Sequence, residues 1–171
     1  MKILSTHQKG FTLIEIIIAI TVLSFGVLMV YNAFAVAAST TYANAPRLAA
    51  SYLAQEGIEI IRNLRDINFI NQAVWSAGLL TGPCLAGCQA DYRVSATNQL
   101  ESYDGNAFLG INSDGFYTYD FGATPTIYKR KITISPISGT IDVMKVDVLV
   151  SWNYNGAPAT FNTTGYLYDW Q

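Results

Sequence analysis

Few side chains in this sequence could do chemistry, and they are scattered. The one histidine, His7, lies within the first ten residues. Without a second imidazole there is no material for a His-dependent triad or a histidine metal cluster. Two carboxylate pairs stand close in sequence, Glu56 with Glu59 and Asp142 with Asp147. On a helix face and a strand they read as solubilising charges rather than an acid–base couple. Cys84 and Cys88, in TGPCLAGCQA, are two thiols short of a tetrahedral zinc site. In an oxidising compartment they are a candidate disulfide across a small loop that Gly82, Pro83 and Gly87 help to bend; the alternative is a pair of free thiols. Asp104-Gly105-Asn106 and Asn112-Ser113-Asp114-Gly115 superficially suggest calcium loops, but neither has the full ligand spacing or the closing Glu, and both read as turns. Neither an enzyme nor a cofactor is expected from this inventory. One charge remains unexplained. Glu15 is the only charged residue in an apolar run from Phe11 to Ala38, where a carboxylate costs roughly 2.5–3.5 kcal/mol on insertion scales.

The elements around these residues fall into two kinds. The run from Phe11 to Ala38 exceeds the ~20 residues that cross a bilayer. Beyond it, Ala49, Leu53, Gly57, Ile58, Ile61 and Leu64 recur at steps of three or four, while Gln55, Glu56, Glu59, Arg62, Asn63, Arg65 and Asp66 fall largely elsewhere. That is an amphipathic helix with one stripe for a core and a solvated face laced by Glu59–Arg62 and Arg62–Asp66 spacings. Pro46 interrupts the run, so a kink or short non-helical segment is expected at Tyr42–Pro46. A helix from Phe11 to Asp66 would be about 84 Å long at ~1.5 Å per residue.

The rest is rich in Gly, Asn, Tyr, Thr and β-branched residues. Residues 68–126 read as a long connection with short strands at Asp91–Ser95 and Phe116–Tyr119. Strands are expected at Tyr128–Ser135, Ile141–Trp152 and Thr160–Trp170, the last after a turn at Asn153–Pro158. Met144, Val146, Val148, Val150 and Trp152 share one face of the middle strand. An antiparallel sheet covering the helix stripe gives an α+β head. Charged residues make up 13% of the chain and the net charge is −2, so nucleic acid is not expected as a main ligand. The run Lys129-Arg130-Lys131 reads as three charges on a solvated strand.

Two ordinary explanations of the amino terminus fall short. A secretory signal needs an apolar stretch of only about 7–15 residues, and this run is about twice too long. An uncut single-span anchor accounts for the length but not for Glu15. The junction Lys9-Gly10-Phe11-Thr12-Leu13-Ile14-Glu15 resembles that of type IV prepilins and the related pseudopilins of type II secretion. In them a short basic leader ends in Gly, and Phe-Thr-Leu-Ile-Glu opens an apolar helix. The segments SYLAQEGIEIIRNLRD, TIYKRKITI and VDVLVSWNYNG also look like a minor-pilin-like subset. Many pilins carry a Pro about where Asn32 stands here, and its absence is a departure.

The resemblance implies a pilin-like fold, with a long N-terminal helix packed on a C-terminal antiparallel sheet. It implies a leader at 1–10, a helix at 11–67 whose 11–38 part spans the membrane and assembles, and a β-rich head at 68–171. A prepilin peptidase would cut between Gly10 and Phe11, and Phe11 would be N-methylated. Glu15, then fifth in the mature chain, would meet the terminal ammonium of a neighbouring pilin subunit during assembly. The alternative is a carboxylate that snorkels to the cytoplasmic interface. The implied function is a structural subunit, a minor pilin or pseudopilin, of a type IV pilus or secretion-like filament. It would be held in the bacterial inner membrane before assembly and lie in an extracytoplasmic, cell-surface filament afterwards. The alternative function is a single-span anchored protein whose head binds a protein or a glycan, as in cell adhesion.

Overall fold

A computed structural model of the chain describes residues 10–94, 100–140 and 142–170. Its residues divide into two compact units, Met1–Asn44 and Ala45–Gln171. Both draw on one helix, α1 (Leu13–Ile70). The expected non-helical segment at Tyr42–Pro46 is absent, because helical backbone runs through Pro46. Pro46 lacks the N–H of a helical bond, but its carbonyl accepts the Tyr128 hydroxyl at 3.1 Å, a tertiary bond that holds it.

In the first unit, α1 is apolar on all sides: Ile14, Ile17, Leu23, Phe25 and Met29 are all exposed. A helix apolar all round needs an apolar surround. The hydroxyls of Thr21 and Ser24 each bond a carbonyl one turn back, Ile17 O and Ile20 O, both at 2.7 Å. Self-satisfied hydroxyls of this kind suit a segment with no water to bond.

In the second unit, α1 continues to Ile70, a few residues past the expected end at 67. The stop is a Schellman motif without its usual glycine. Gln72 takes the left-handed conformation (φ 56°), Ala73 N bonds Asn68 O at 2.9 Å, and Gln72 N bonds Phe69 O at 3.0 Å. The Asn68 amide then bonds Trp75 O and Ala77 O, tying the next turn to the helix end.

Among the described residues eight strands follow: β1 (Cys88–Gln89), β2 (Glu101–Ser102), β3 (Gly110–Ile111), β4 (Tyr117–Thr118), β5 (Thr124–Pro125), β6 (Lys129–Pro136), β7 (Val143–Tyr154) and β8 (Ala157–Tyr168). They form an antiparallel five-stranded sheet, β2-β1-β6-β7-β8, and a small antiparallel sheet, β4-β3-β5. The expected strand at Asp91–Ser95 is not one: Tyr92 and Arg93 turn, because Asp91 caps the bend with its carboxylate on Arg93 N at 3.0 Å, and Ser95 lies outside the described residues. The β7–β8 hairpin closes in two residues, Asn155 (φ 50°) and Gly156 (φ 80°), so the turn is tighter than Asn153–Pro158.

The core is where the helix stripe meets the sheet. Leu53, Ile61 and Leu64 of α1 are buried against Ile132 and Ile134 of β6 and Met144, Val146, Val148 and Val150 of β7. Gly57 sets their spacing, since a β-carbon there would sit 2.9 Å from Val148 Cγ1. The α+β layout of a long N-terminal helix and an antiparallel sheet is that of a pilin-like fold.

Candidate processing and assembly site

Gly10 and Phe11 are exposed and lie outside any helix or strand, immediately before α1. A peptidase needs this geometry, since it must draw a flexible peptide bond into its own site. Thr12 is the N-cap: its hydroxyl accepts the Glu15 amide at 3.3 Å, and Ile16 N bonds Thr12 O. Thr-x-x-Glu is the sequence form of a capping box, and that pattern was legible in Thr12-Leu13-Ile14-Glu15 although the sequence reading passed over it. Glu15 therefore sits in the first helical turn, where the helix dipole favours a negative charge. The segment Leu13–Ala38 is long and apolar enough to cross a membrane.

A family model of the prokaryotic N-terminal methylation motif matches residues 5–31. The chain carries the prepilin and pseudopilin signature. That signature implies a prepilin peptidase substrate, with the apolar helix as its membrane anchor. A search of curated proteins and one of solved structures return no match.

In the head of this prepilin-type chain, Arg130 is the main correction to the sequence reading. It is not on a solvated face with Lys129 and Lys131; its side chain is 0% exposed. Strand alternation turns it inward beside Ile132 and Ile134, where Nη1 donates to Leu53 O (2.9 Å) and Glu56 Oε2 (3.0 Å) and Nη2 to Ala90 O (2.6 Å). Nε is buried without a partner among the described residues. Glu56 is thus the counter-charge of a helix-to-sheet tie and not a free solubilising carboxylate. The alternation Arg130–Ile132–Ile134 carried the signal, but the charge obscured it. Its flanking lysines are the ones at the surface, with Lys129 Nζ bonding Gly105 O and lying 4.4 Å from the centre of the Phe108 ring.

Arg65 is corrected in the same direction. It pairs with Asp66 and lies 5.1 Å from the Trp170 ring, so it is buried rather than on the solvated face. Arg62 pairs with Glu59 as the spacing suggests, and not with Asp66. Asp147 bonds Lys145 and accepts the Thr164 hydroxyl.

Asp91 is the most elaborately held acid. Burial pushes its carboxyl up, but bonds from Arg93, the Thr118 hydroxyl and Tyr119 N outweigh that and bring it to about 2. Burial raises the phenol of neighbouring Tyr119 to about 12, against the opposing Arg130 charge. A cleft of about 350 Å³ opens beside them, lined by Gln89, Asp91, Arg93, Glu101, Tyr119 and Phe121. With Asp91 locked ionised and Tyr119 locked neutral, neither exchanges a proton near neutral pH. No group of three or more His, Cys, Asp or Glu residues able to hold a metal occurs among the described residues. Cys84 and Cys88 are joined in a disulfide, with α-carbons 4.4 Å apart, beside the start of β1. The two turn sequences are turns, each closed by its own side chain: Asn106 N bonds Asp104 Oδ1 and Asp114 N bonds Asn112 Oδ1.

Proposed function

We propose that this chain is a structural subunit, a minor pilin or pseudopilin, of a type IV pilus or secretion-like filament. A prepilin peptidase cuts it after Gly10, and the new amino terminus at Phe11 is methylated. The 11–38 segment holds it in the inner membrane until assembly carries the head out into the filament. The residues left are a short non-helical start, a long apolar helix and a compact β-rich head with its own core. The observation that carries this reading is the methylation motif at residues 5–31 with a charge at Glu15 inside it. Two buried charges each gain by meeting the other, and a subunit in the wrong register leaves one unpaired. Glu15 then selects register and recruits the neighbouring pilin subunit, while its amide starts the helix on Thr12.

The test compares the wild-type chain with Glu15→Leu and Glu15→Gln in the native host. All three should be made, inserted and cut, with Phe11 first by intact mass and methylated. Losing Lys2 and Lys9 with the leader takes the wild-type side-chain charge from −2 to −4. Incorporation should fail for Leu and be reduced for Gln, which keeps an acceptor but not the charge. Retained Met1 sinks the processing step, and normal incorporation of the Leu variant sinks the role given to Glu15.

A further inference from the structure

The head exposes a long sheet edge with almost none of the features that normally keep such an edge unpaired. Strand β8 pairs with β7 across an unbroken register from Val143↔Tyr168 to Tyr154↔Ala157. Because the turn has two residues, Tyr154 and Ala157 form the closing pair that exchanges both hydrogen bonds. Alternation then directs the N–H and C=O groups of Ala159, Phe161, Thr163, Gly165 and Leu167 toward β7. Those of Thr160, Asn162, Thr164, Tyr166 and Tyr168, with the Pro158 carbonyl, point to the open side. All six of those side chains are exposed, and no other strand pairs with β8 among the described residues.

Native edges are usually blunted by shortness, charge, proline, a bulge or a covering segment. The opposite edge fits that rule, since β2 has two residues and one of them is Glu101. The β8 edge does not. It is 12 residues long, APATFNTTGYLY, with no charged residue. Its register has no bulge, and its only proline is Pro158, beside the turn.

We propose that β8 is a docking edge, occupied in the assembled state by an extended strand of a different subunit of the filament. This rests on the filament reading above and names the partner that it requires. Hydrogen-bond chemistry makes the occupant a strand, because the edge offers alternating donors and acceptors at β spacing. The partner strand needs β-branched or aromatic side chains at alternate positions, to pair across from Thr160, Thr164, Tyr166 and Tyr168. A second copy fits poorly in either symmetric way. Head-to-tail addition would have to seat β8 on β2, β4 or β5, each only two residues long. A two-fold, antiparallel β8–β8 pair has its axis normal to the sheet. That axis turns the segment of α1 lying on the sheet end for end, so this segment would run in opposite directions in the two copies, whereas subunits of one filament run the same way.

The edge is read by residue-resolved amide exchange on the full chain, first extracted in detergent and then in filaments from the native host. On assembly the amides of Thr160, Asn162, Thr164 and Tyr166 should slow roughly tenfold or more, while Phe161 and Thr163 are protected in both states. Asn162→Pro deletes an outward N–H and should leave the detergent-phase melt unchanged while reducing incorporation several-fold. Thr163→Pro deletes an inward one and should unfold the head. A photo-crosslinking residue in place of Tyr166 should join, in filaments, another chain with a prepilin signature, identified by its peptides. Outward amides that exchange as freely in filaments as in detergent overturn the proposal, as do a crosslink to a second copy, no crosslink, or normal incorporation of Asn162→Pro. A chain that is never cut at Gly10 defeats the filament reading instead, so the two failures are separable.

Discussion

Replacing Glu56 by Leu should destabilise the head at least as much as replacing both Glu56 and Arg130. The Arg130 guanidinium is fully enclosed, and among the described residues Glu56 is its one carboxylate partner, with a side chain 32% exposed. Breaking a fully buried pair by removing one partner costs about 3–5 kcal/mol. Water reaching the exposed part of Glu56 reduces that, so about 2–3 kcal/mol is expected for Glu56→Leu. Arg130→Met removes the charge itself. The Leu53 carbonyl keeps its helical bond and the part-exposed Glu56 carboxylate reaches water, so the main loss is at Ala90 O, bonded at 2.6 Å and left without its donor, about 1–2 kcal/mol. The double variant has no stranded charge and should cost no more than Glu56→Leu alone, which implies a coupling of about 1–2 kcal/mol. Urea unfolding of the full chain in detergent, followed by tryptophan emission, measures this, because Trp75, Trp152 and Trp170 all lie in the Ala45–Gln171 unit. Additive costs, or an effect of Glu56→Leu below about 0.5 kcal/mol, would show that the carbonyls alone satisfy Arg130 and refute the reasoning.

Two further outcomes follow from the head. Asp91 is depressed from 3.8 to about 2 in the fold, so its contribution is present above pH ~4 and lost as pH falls from there through about 2. The step is roughly 2 kcal/mol by linkage, and Asp91→Asn should flatten it in an acid titration of stability; an unchanged slope would remove Asp91 as its cause. Ile61 is fully buried and the Glu59 side chain 61% exposed, so Ile61→Asp should cost more than about 3 kcal/mol and Glu59→Ala less than about 0.5 in thermal melts. Equal shifts would put the wrong face of α1 on the sheet.

The parts legible in the sequence were those in which local pattern and tertiary environment agree. Met144 through Trp152 alternate in sequence and are buried in alternation. Leu53, Gly57, Ile61 and Leu64 recur at helical spacing and pack on that strand face. The parts that failed are those where a long-range partner reverses the local preference. Arg130 and Arg65 look solvated until Glu56, the Ala90 carbonyl and the Trp170 ring are brought to them. Pro46 looks like a break until Tyr128, far along the chain, bonds its carbonyl. The helix ends on Gln72 in a conformation that usually calls for Gly, so no stop signal marked it. Asp91 opens a segment of strand-like composition, yet its carboxylate makes so many bonds across to Thr118 and Tyr119 that the chain turns there instead.

The two anomalous charges of this chain obey one rule and differ in where the rule is satisfied. Arg130 lies in an apolar layer between helix and sheet, and the fold supplies its counter-charge from α1. Glu15 lies at the head of an apolar helix, where the Thr12 hydroxyl bonds its amide and no cation pairs with its carboxylate among the described residues. Capping explains an acid at that turn, since the dipole favours it by about 0.3–1 kcal/mol. That is smaller than the roughly 2.5–3.5 kcal/mol cost of placing a carboxylate in hydrocarbon. The shortfall has to be met from outside the single chain, by interfacial water while the subunit waits in the membrane or by a cation once it leaves. The ammonium that prepilin peptidase would create at Phe11 is such a cation, and every identical neighbour would bring one. This supports reading Glu15 as a contact between subunits rather than as a feature of the isolated fold.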